Sequence, residues 1–159
     1  MEEKFTFFWS GVFSQWHPSL FQIDGVYYNT AEQFMMAEKA RLFGDLETLA
    51  KIMSAADPRE QKAYGREVKG FIKEKWDAIA RDVVLRGSIA KYEQNPNLLK
   101  ELMATEGTTL VEASPEDRIW GIGLRKNDSR AKSRDTWLGT NWLGQCLTEA
   151  REILKKKAN

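Results

Sequence analysis

Lys39 stands where a cation is costly. In TAEQFMMAEKARLFG, residues 30–44, it has Met35 and Met36 one turn before it and Leu42 and Phe43 one turn after it. A lysine on such an apolar stripe has two uses. It can bury its stem and send the ammonium to water, or it can enter a partly dry pocket where desolvation depresses its pKa. An amine that is neutral near pH 7 is a nucleophile, able to form Schiff bases with carbonyl-level carbons. Seven helical positions make almost two turns, so Glu32 shares the face of Lys39 at about 10 Å along the axis, with Met36 between them. Glu32 is either a first-turn acid favoured by the helix dipole or an acid or base working in the same cleft.

A second constellation lies in EASPEDRIWGIG, residues 112–123, where Glu112, Glu116 and Asp117 fall within six positions. Asp117 precedes Trp120 by three, which puts the two on one face of a helical turn. A carboxylate there can hydrogen-bond a ligand that stacks on the indole; equally, Asp117 can be a helix N-terminal acid and Trp120 a core residue. GTNWLG, residues 139–144, sets small residues and a capping position at the start of a last helix, whose backbone donors can cap the turn or meet a phosphate. Arg66 in YGREVK and Lys91 in AKYEQN lie on amphipathic helices, and a solvated face is expected for both. GIG at 121–123 is not a dinucleotide fingerprint, and no Walker loop or G-x-S-x-G elbow occurs.

Composition narrows the class. The 159 residues carry 24 Lys+Arg against 23 Asp+Glu, a net charge of +1. A protein gripping long nucleic acid by many phosphate contacts is usually more basic, so a small or locally recognised ligand is expected. A single cysteine, Cys146, and a single histidine, His17, rule out an internal disulfide and a Cys/His zinc site. No signal-peptide h-region opens the chain and no run approaches the ~20 apolar residues of a membrane span. A cytosolic protein without metal or redox cofactor is expected. Six tryptophans are the compositional excess: Trp9, Trp16, Trp76, Trp120, Trp137 and Trp142. About two in three belong in a core by the burial tendency of aromatics, leaving flat surfaces on which a base or sugar can stack.

The elements that must position these groups are legible in outline. Phe5 to Trp9 is a short aromatic strand, and Leu20 to Tyr28 reads as a hairpin joined by Asp24-Gly25. Thr30 with Gln33 forms a capping box for a helix that Gly44 stops. Asp45 caps a second helix, and Asp57-Pro58 opens a third. A longer helix covers Trp76 to Gln94, Asn95-Pro96 starts another that ends near Thr105, and Thr108 to Ser114 is a strand. Ser114-Pro115-Glu116-Asp117 begins a short turn of helix. Gly121 to Gly139 has no apolar period, as functional or mobile loops often do not, and a last helix runs from about Asn141 to Lys156. The expected fold is mainly α (α+β), one compact helical domain over residues 1–159 with small antiparallel β elements.

Taken in order, FSQWHP, the hairpin with TAEQFMMAEKARLFGD, YGREVKGFIKEKWDAIARDVVLRGSIAKYEQNP, LMATEGTTLVEASPEDRIWGIG and GTNWLGQCLTEAREIL resemble the NADAR family, named for NAD and ADP-ribose and also called YbiA-like. The set follows the family order over nearly the whole chain. One departure is Ser14-Gln15-Trp16, where the family usually reads Ser-Asn-Phe. The resemblance implies a cleft for a ribosyl phosphate and N-glycosidase activity on a sugar carried by an exocyclic amine. Two substrate classes follow from it: ADP-ribose attached to guanine, and ribosylamine intermediates of the early riboflavin pathway. Glu32, Lys39, Trp76, Asp117, Trp120 and Asn141 match its motif positions; Lys39, Glu32 and Asp117 are expected to be catalytic, and Trp76, Trp120, Gly121, Asn141 and Arg66 to be substrate-binding. The resemblance also implies functional pairing with an ADP-ribosylating enzyme. ADP-ribosyl-guanine, free or in nucleic acid, is the preferred expectation, since six tryptophans suit a base-bearing ligand and the Arg125 to Arg134 segment can reach phosphates. A non-catalytic reader of ADP-ribose and an interaction domain with core tryptophans are the readings from other classes.

Overall fold

Asp24 and Gly25 adopt positive φ, 53° and 80°, the pairing a tight two-residue hairpin turn requires. They join the two strands of a hairpin. The first strand, β1 (Phe5–Phe8), precedes the hairpin of β2 (Phe21–Ile23) and β3 (Val26–Tyr28), which pair antiparallel with Phe21 opposite Tyr28. Six helices follow in a computed structural model that describes residues 2–159. They are α1 (Ala31–Leu42), α2 (Leu46–Ser54), α3 (Pro58–Gly65), α4 (Lys73–Glu93), α5 (Pro96–Met103) and, after the strand β4 (Thr109–Glu112), α6 (Trp142–Ala158). The fold is α+β, as expected. Among the described residues no helix is long and apolar enough to cross a membrane.

The chain forms two compact units. One is residues 15–95, and the other joins residues 1–14 to residues 96–159. In the first, α1 is the central helix, packed by α2, α3 and α4. Its start follows the capping box in modified form: Thr30 Oγ1 accepts the Gln33 N–H at 3.0 Å, while Gln33 Oε1 accepts the N–H of Asn29, one residue before the cap, at 2.8 Å. Gln61, fully buried on α3, takes the Thr30 hydroxyl at 2.6 Å and donates to the Ala55 carbonyl at 2.8 Å. The packing is close enough to demand glycine on the partners. A β-carbon at Gly87 of α4 would fall 2.8 Å from the Phe34 ring.

In the other unit β1 pairs with β4 in parallel, Phe5 beside Thr109 and Phe8 beside Glu112. The expectation of antiparallel β elements therefore holds for the hairpin only. A parallel neighbour needs a long crossover, and here residues 9–108 supply it. Val111, Ile122, Leu124 and Ala131 form a buried cluster covered by Phe5, Phe7 and Trp137. Residues 121–139 are thus no free loop. They contain two 3-10 turns, Ser129–Lys132 and Arg134–Thr136, and are pinned by Trp137 Nε1 donating to the Ala131 carbonyl at 2.9 Å and by the Arg134 guanidinium on the Glu3 carboxylate. The short helix expected at residues 114–117 is a turn.

Candidate functional site

Burial settles what kind of helix carries Lys39. Residues Ala31 to Ala37 and Ala40 of α1 are all buried, so α1 is enclosed on nearly every side and not merely striped. Lys39 sits near its end, half-buried. Desolvation lowers its pKa, the Glu32 carboxylate raises it, and the positive charge of Arg66 lowers it; the net shift is downward. Glu32 is 4 % exposed and its backbone N–H donates to the Gln15 carbonyl at 3.0 Å. Arg66 is exposed at the C-terminal cap of α3. One unit therefore brings Lys39, Glu32 and Arg66 within electrostatic reach of one another. The arrangement gives a partly dry amine with an acid on its own helix, which is what a Schiff-base nucleophile needs.

Phe71 completes this group and was not singled out by the residue pattern. Its ring centroid is 4.7 Å from Lys39 Nζ, and Phe43 meets the same ring edge-on at 5.5 Å. The chain reaches Phe71 through Gly70 at φ 77°, after the Lys69 N–H has been taken by Asp45 Oδ2 at 2.9 Å. Asp45 also caps α2 by accepting the Thr48 N–H at 3.0 Å. These two backbone donors, Lys69 first, with the Thr48 hydroxyl, hold its carboxyl down at about 2. Trp76 on α4 is buried, so it walls its surroundings and presents no open stacking face.

Lys91 overturns its expected place. It is 1 % exposed, and burial lowers its pKa to about 7. An amphipathic helix suggested a solvated face for it, but Val84, Gly87, Ser88 and Lys91 form one buried row. Arg66, by contrast, does lie in solvent.

In the other unit Asp117 Oδ1 accepts the N–H groups of Ile119 at 2.9 Å and Trp120 at 2.8 Å. It braces the turn that presents Trp120. That indole is partly exposed and meets Trp142 edge-on at 5.5 Å. Gly121 has to be glycine: a β-carbon would lie 2.9 Å from the Asp117 carbonyl and 3.0 Å from that of Glu112. Asn141 is fully buried with φ 54°; its Oδ1 accepts the Glu112 N–H at 3.0 Å and its Nδ2 donates to the Leu110 carbonyl at 3.1 Å. The amide links β4 to the start of α6, a structural task.

The family model described as NADAR domain matches residues 7–155. The chain belongs to the NADAR family. It is 42% identical over 146 residues to N-glycosidase R617 of Acanthamoeba polyphaga mimivirus, covering 89% of this chain and 86% of that protein. The NMR structure of the E. coli protein YbiA matches with a TM-score of 0.80 at 27% identity, over 99% of this chain and 89% of the other. Riboflavin biosynthesis protein PYRR, chloroplastic, of Zea mays is 32% identical over 157 residues, 91% of this chain but 23% of that longer protein. The NADAR match includes residues of both units.

Of the tryptophans, Trp76 alone is fully buried, and Trp9 is 52% exposed. The expectation of mostly core tryptophans is not met: Trp120, Trp137 and Trp142 are partly buried, and Trp9 and Trp16 are exposed.

Proposed function

We propose that this chain is an N-glycosidase that cleaves the bond between C1′ of ribose and an exocyclic amine, with Lys39 as nucleophile. The observation that carries the proposal is Lys39 itself: half-buried at the end of an enclosed helix, its pKa lowered by burial, with Glu32 on the same helix. The named activity of the mimivirus relative supports the reaction class.

An exocyclic glycosylamine opens its ring to an imine, with a proton moving to the ring oxygen. The lone pair of neutral Lys39 Nζ adds to C1′ of that imine. One proton passes from Nζ to the exocyclic nitrogen and a second arrives from an acid, so the base leaves as a neutral primary amine. What remains is a protonated Schiff base between Nζ and C1′. Water adds to C1′, the C1′–Nζ bond breaks, and the sugar is released as an aldehyde that recloses. The added proton returns and the amine is restored. Splitting the displacement in this way replaces one hard step with two easier ones. Glu32, whose charge acts on Lys39, is the acid we assign to this proton transfer.

ADP-ribosyl-guanine, free or within nucleic acid, is the substrate we infer. The six tryptophans of the sequence suit a base-bearing ligand. A second reading, a phosphoribosylamino-pyrimidine of riboflavin synthesis, is favoured by the similarity to the maize riboflavin protein. Incubating the chain with each compound and following base release by mass spectrometry separates them. ADP-ribosyl-guanosine is expected to yield free guanosine, and release from the pyrimidine compound alone would replace the first reading with the second.

A further inference from the structure

We infer that Phe71 is a catalytic residue of the Lys39 reaction, its ring face stabilising the positive charge that Nζ acquires as it bonds to C1′. The inference rests on the reading of Lys39 as nucleophile. Nζ lies over the ring at 4.7 Å from its centroid, inside the distance at which a cation is drawn to an aromatic face. The ring is fixed. Phe43 abuts it edge-on, and its segment is tied down by the Lys69 to Asp45 hydrogen bond.

A neutral amine gains little from an aromatic quadrupole, whereas a cation gains much more. Nζ begins the attack neutral and ends it as a protonated Schiff base. The attraction to Phe71 therefore grows along the reaction coordinate, which is the condition for raising kcat and not only affinity. No other group near Lys39 behaves this way. Arg66 opposes the developing charge. Glu32 stabilises it, but must give up that charge whenever it holds a proton. The ring has no such conflict.

Among the described residues, the charged groups that shift Lys39 are Glu32 on α1 and Arg66 at the end of α3; α2, α4 and β3, which also pack on α1, supply none of these. Burial and ring have opposite effects on the free amine. Burial disfavours the ammonium and the ring favours it. Removing the ring while keeping apolar bulk should thus lower the pKa of Lys39 and also slow its chemistry. A merely structural loss would not produce that pairing.

The test uses ribose 5-phosphate, whose open-chain aldehyde forms a Schiff base with an amine, and cyanoborohydride to reduce the adduct. The rate at Lys39 is read by peptide mass spectrometry across pH in the full chain. The variants are Phe71→Leu, Phe71→Trp and a 3,4,5-trifluorophenylalanine at position 71, which keeps the ring shape but weakens its face. In Phe71→Leu and in the fluorinated protein, the midpoint for Lys39 labelling should fall by about half a unit. The high-pH plateau, where the amine is fully neutral, should fall about fivefold. Phe71→Trp should hold or raise both. If Lys39 labels quickly but plateau and midpoint ignore the ring, Phe71 loses its role and the nucleophile stands. A wild-type Lys39 that labels no faster than exposed Lys75 removes the nucleophile reading, and the Phe71 assignment falls with it.

Discussion

Gly65 and Met36 touch so closely that a β-carbon at Gly65 would lie 2.0 Å from Met36 Sδ. The contact seats α3 on α1, and on α1 Met36 lies between Glu32 and Lys39. Gly65→Ala should push the thioether toward those two side chains. We expect a loss of about 1–2 kcal/mol in urea unfolding, overpacking being partly offset by the better helix propensity of alanine. A larger proportional fall in kcat than in folded fraction should accompany it. Restoring space with Gly65→Ala combined with Met36→Ala should recover part of the stability.

Glu32→Gln keeps the shape of a buried side chain and removes its charge. With the acid gone, burial and Arg66 act on Lys39 unopposed, so its pKa should drop further. Proton transfer is lost at the same time. The kcat should be lower by ~10²–10⁴-fold, with the amine more reactive toward simple aldehydes. Steady-state kinetics and aldehyde labelling measure the two effects separately.

Asp45 gives stability a defined dependence on acid. Its carboxyl titrates at about 2 in the folded chain because Lys69 and Thr48 donate to its ionised form; in an unfolded chain it titrates near 3.9. A depressed carboxylate stabilises the fold above the unfolded value, and that contribution is lost as pH falls from about 4 to about 2. Asp45→Asn should be less stable than the parent at pH 7, and the two should converge near pH 2. Urea midpoints across this range provide the comparison.

Asn141→Ala separates binding from folding. The amide is fully buried and engaged with Glu112 and Leu110, so truncation leaves two backbone groups without their partner. We expect a loss of about 2–4 kcal/mol in stability. At a temperature where the variant is folded, KM should change little. A large KM effect with unchanged stability would return Asn141 to the substrate.

Local rules made much of the fold legible. The Asp24-Gly25 turn, the Thr30 cap, Asp45, Asp57-Pro58 and the Gly44 stop each act within a few residues, and each lies where the pattern put it. What escaped depended on partners far away in sequence. The parallel pairing of β1 with β4 joins residues 104 positions apart (109 less 5). The burial of Ile122, Leu124 and Ala131 reflects a strand pair, not any period in their own segment. Lys91 looked solvated because charge on one side of a helix usually is. At the candidate site, Lys39 was visible as a cation among methionines, and Glu32 by its seven-residue spacing. Phe71 was invisible, since its meaning lies in a ring face turned toward another helix. Asn141 was marked for the substrate by the family resemblance, and its burial and its bonds to Glu112 and Leu110 show the link to β4.

Borohydride reduction during turnover of ADP-ribosyl-guanosine is the most direct measurement of whether Lys39 bonds to the sugar. The account predicts a stable ADP-ribosyl adduct on the peptide containing Lys39, absent from Lys39→Ala, whose base release should also be lost. Efficient turnover by the wild-type chain with no adduct at Lys39, or base release undiminished in Lys39→Ala, would contradict it.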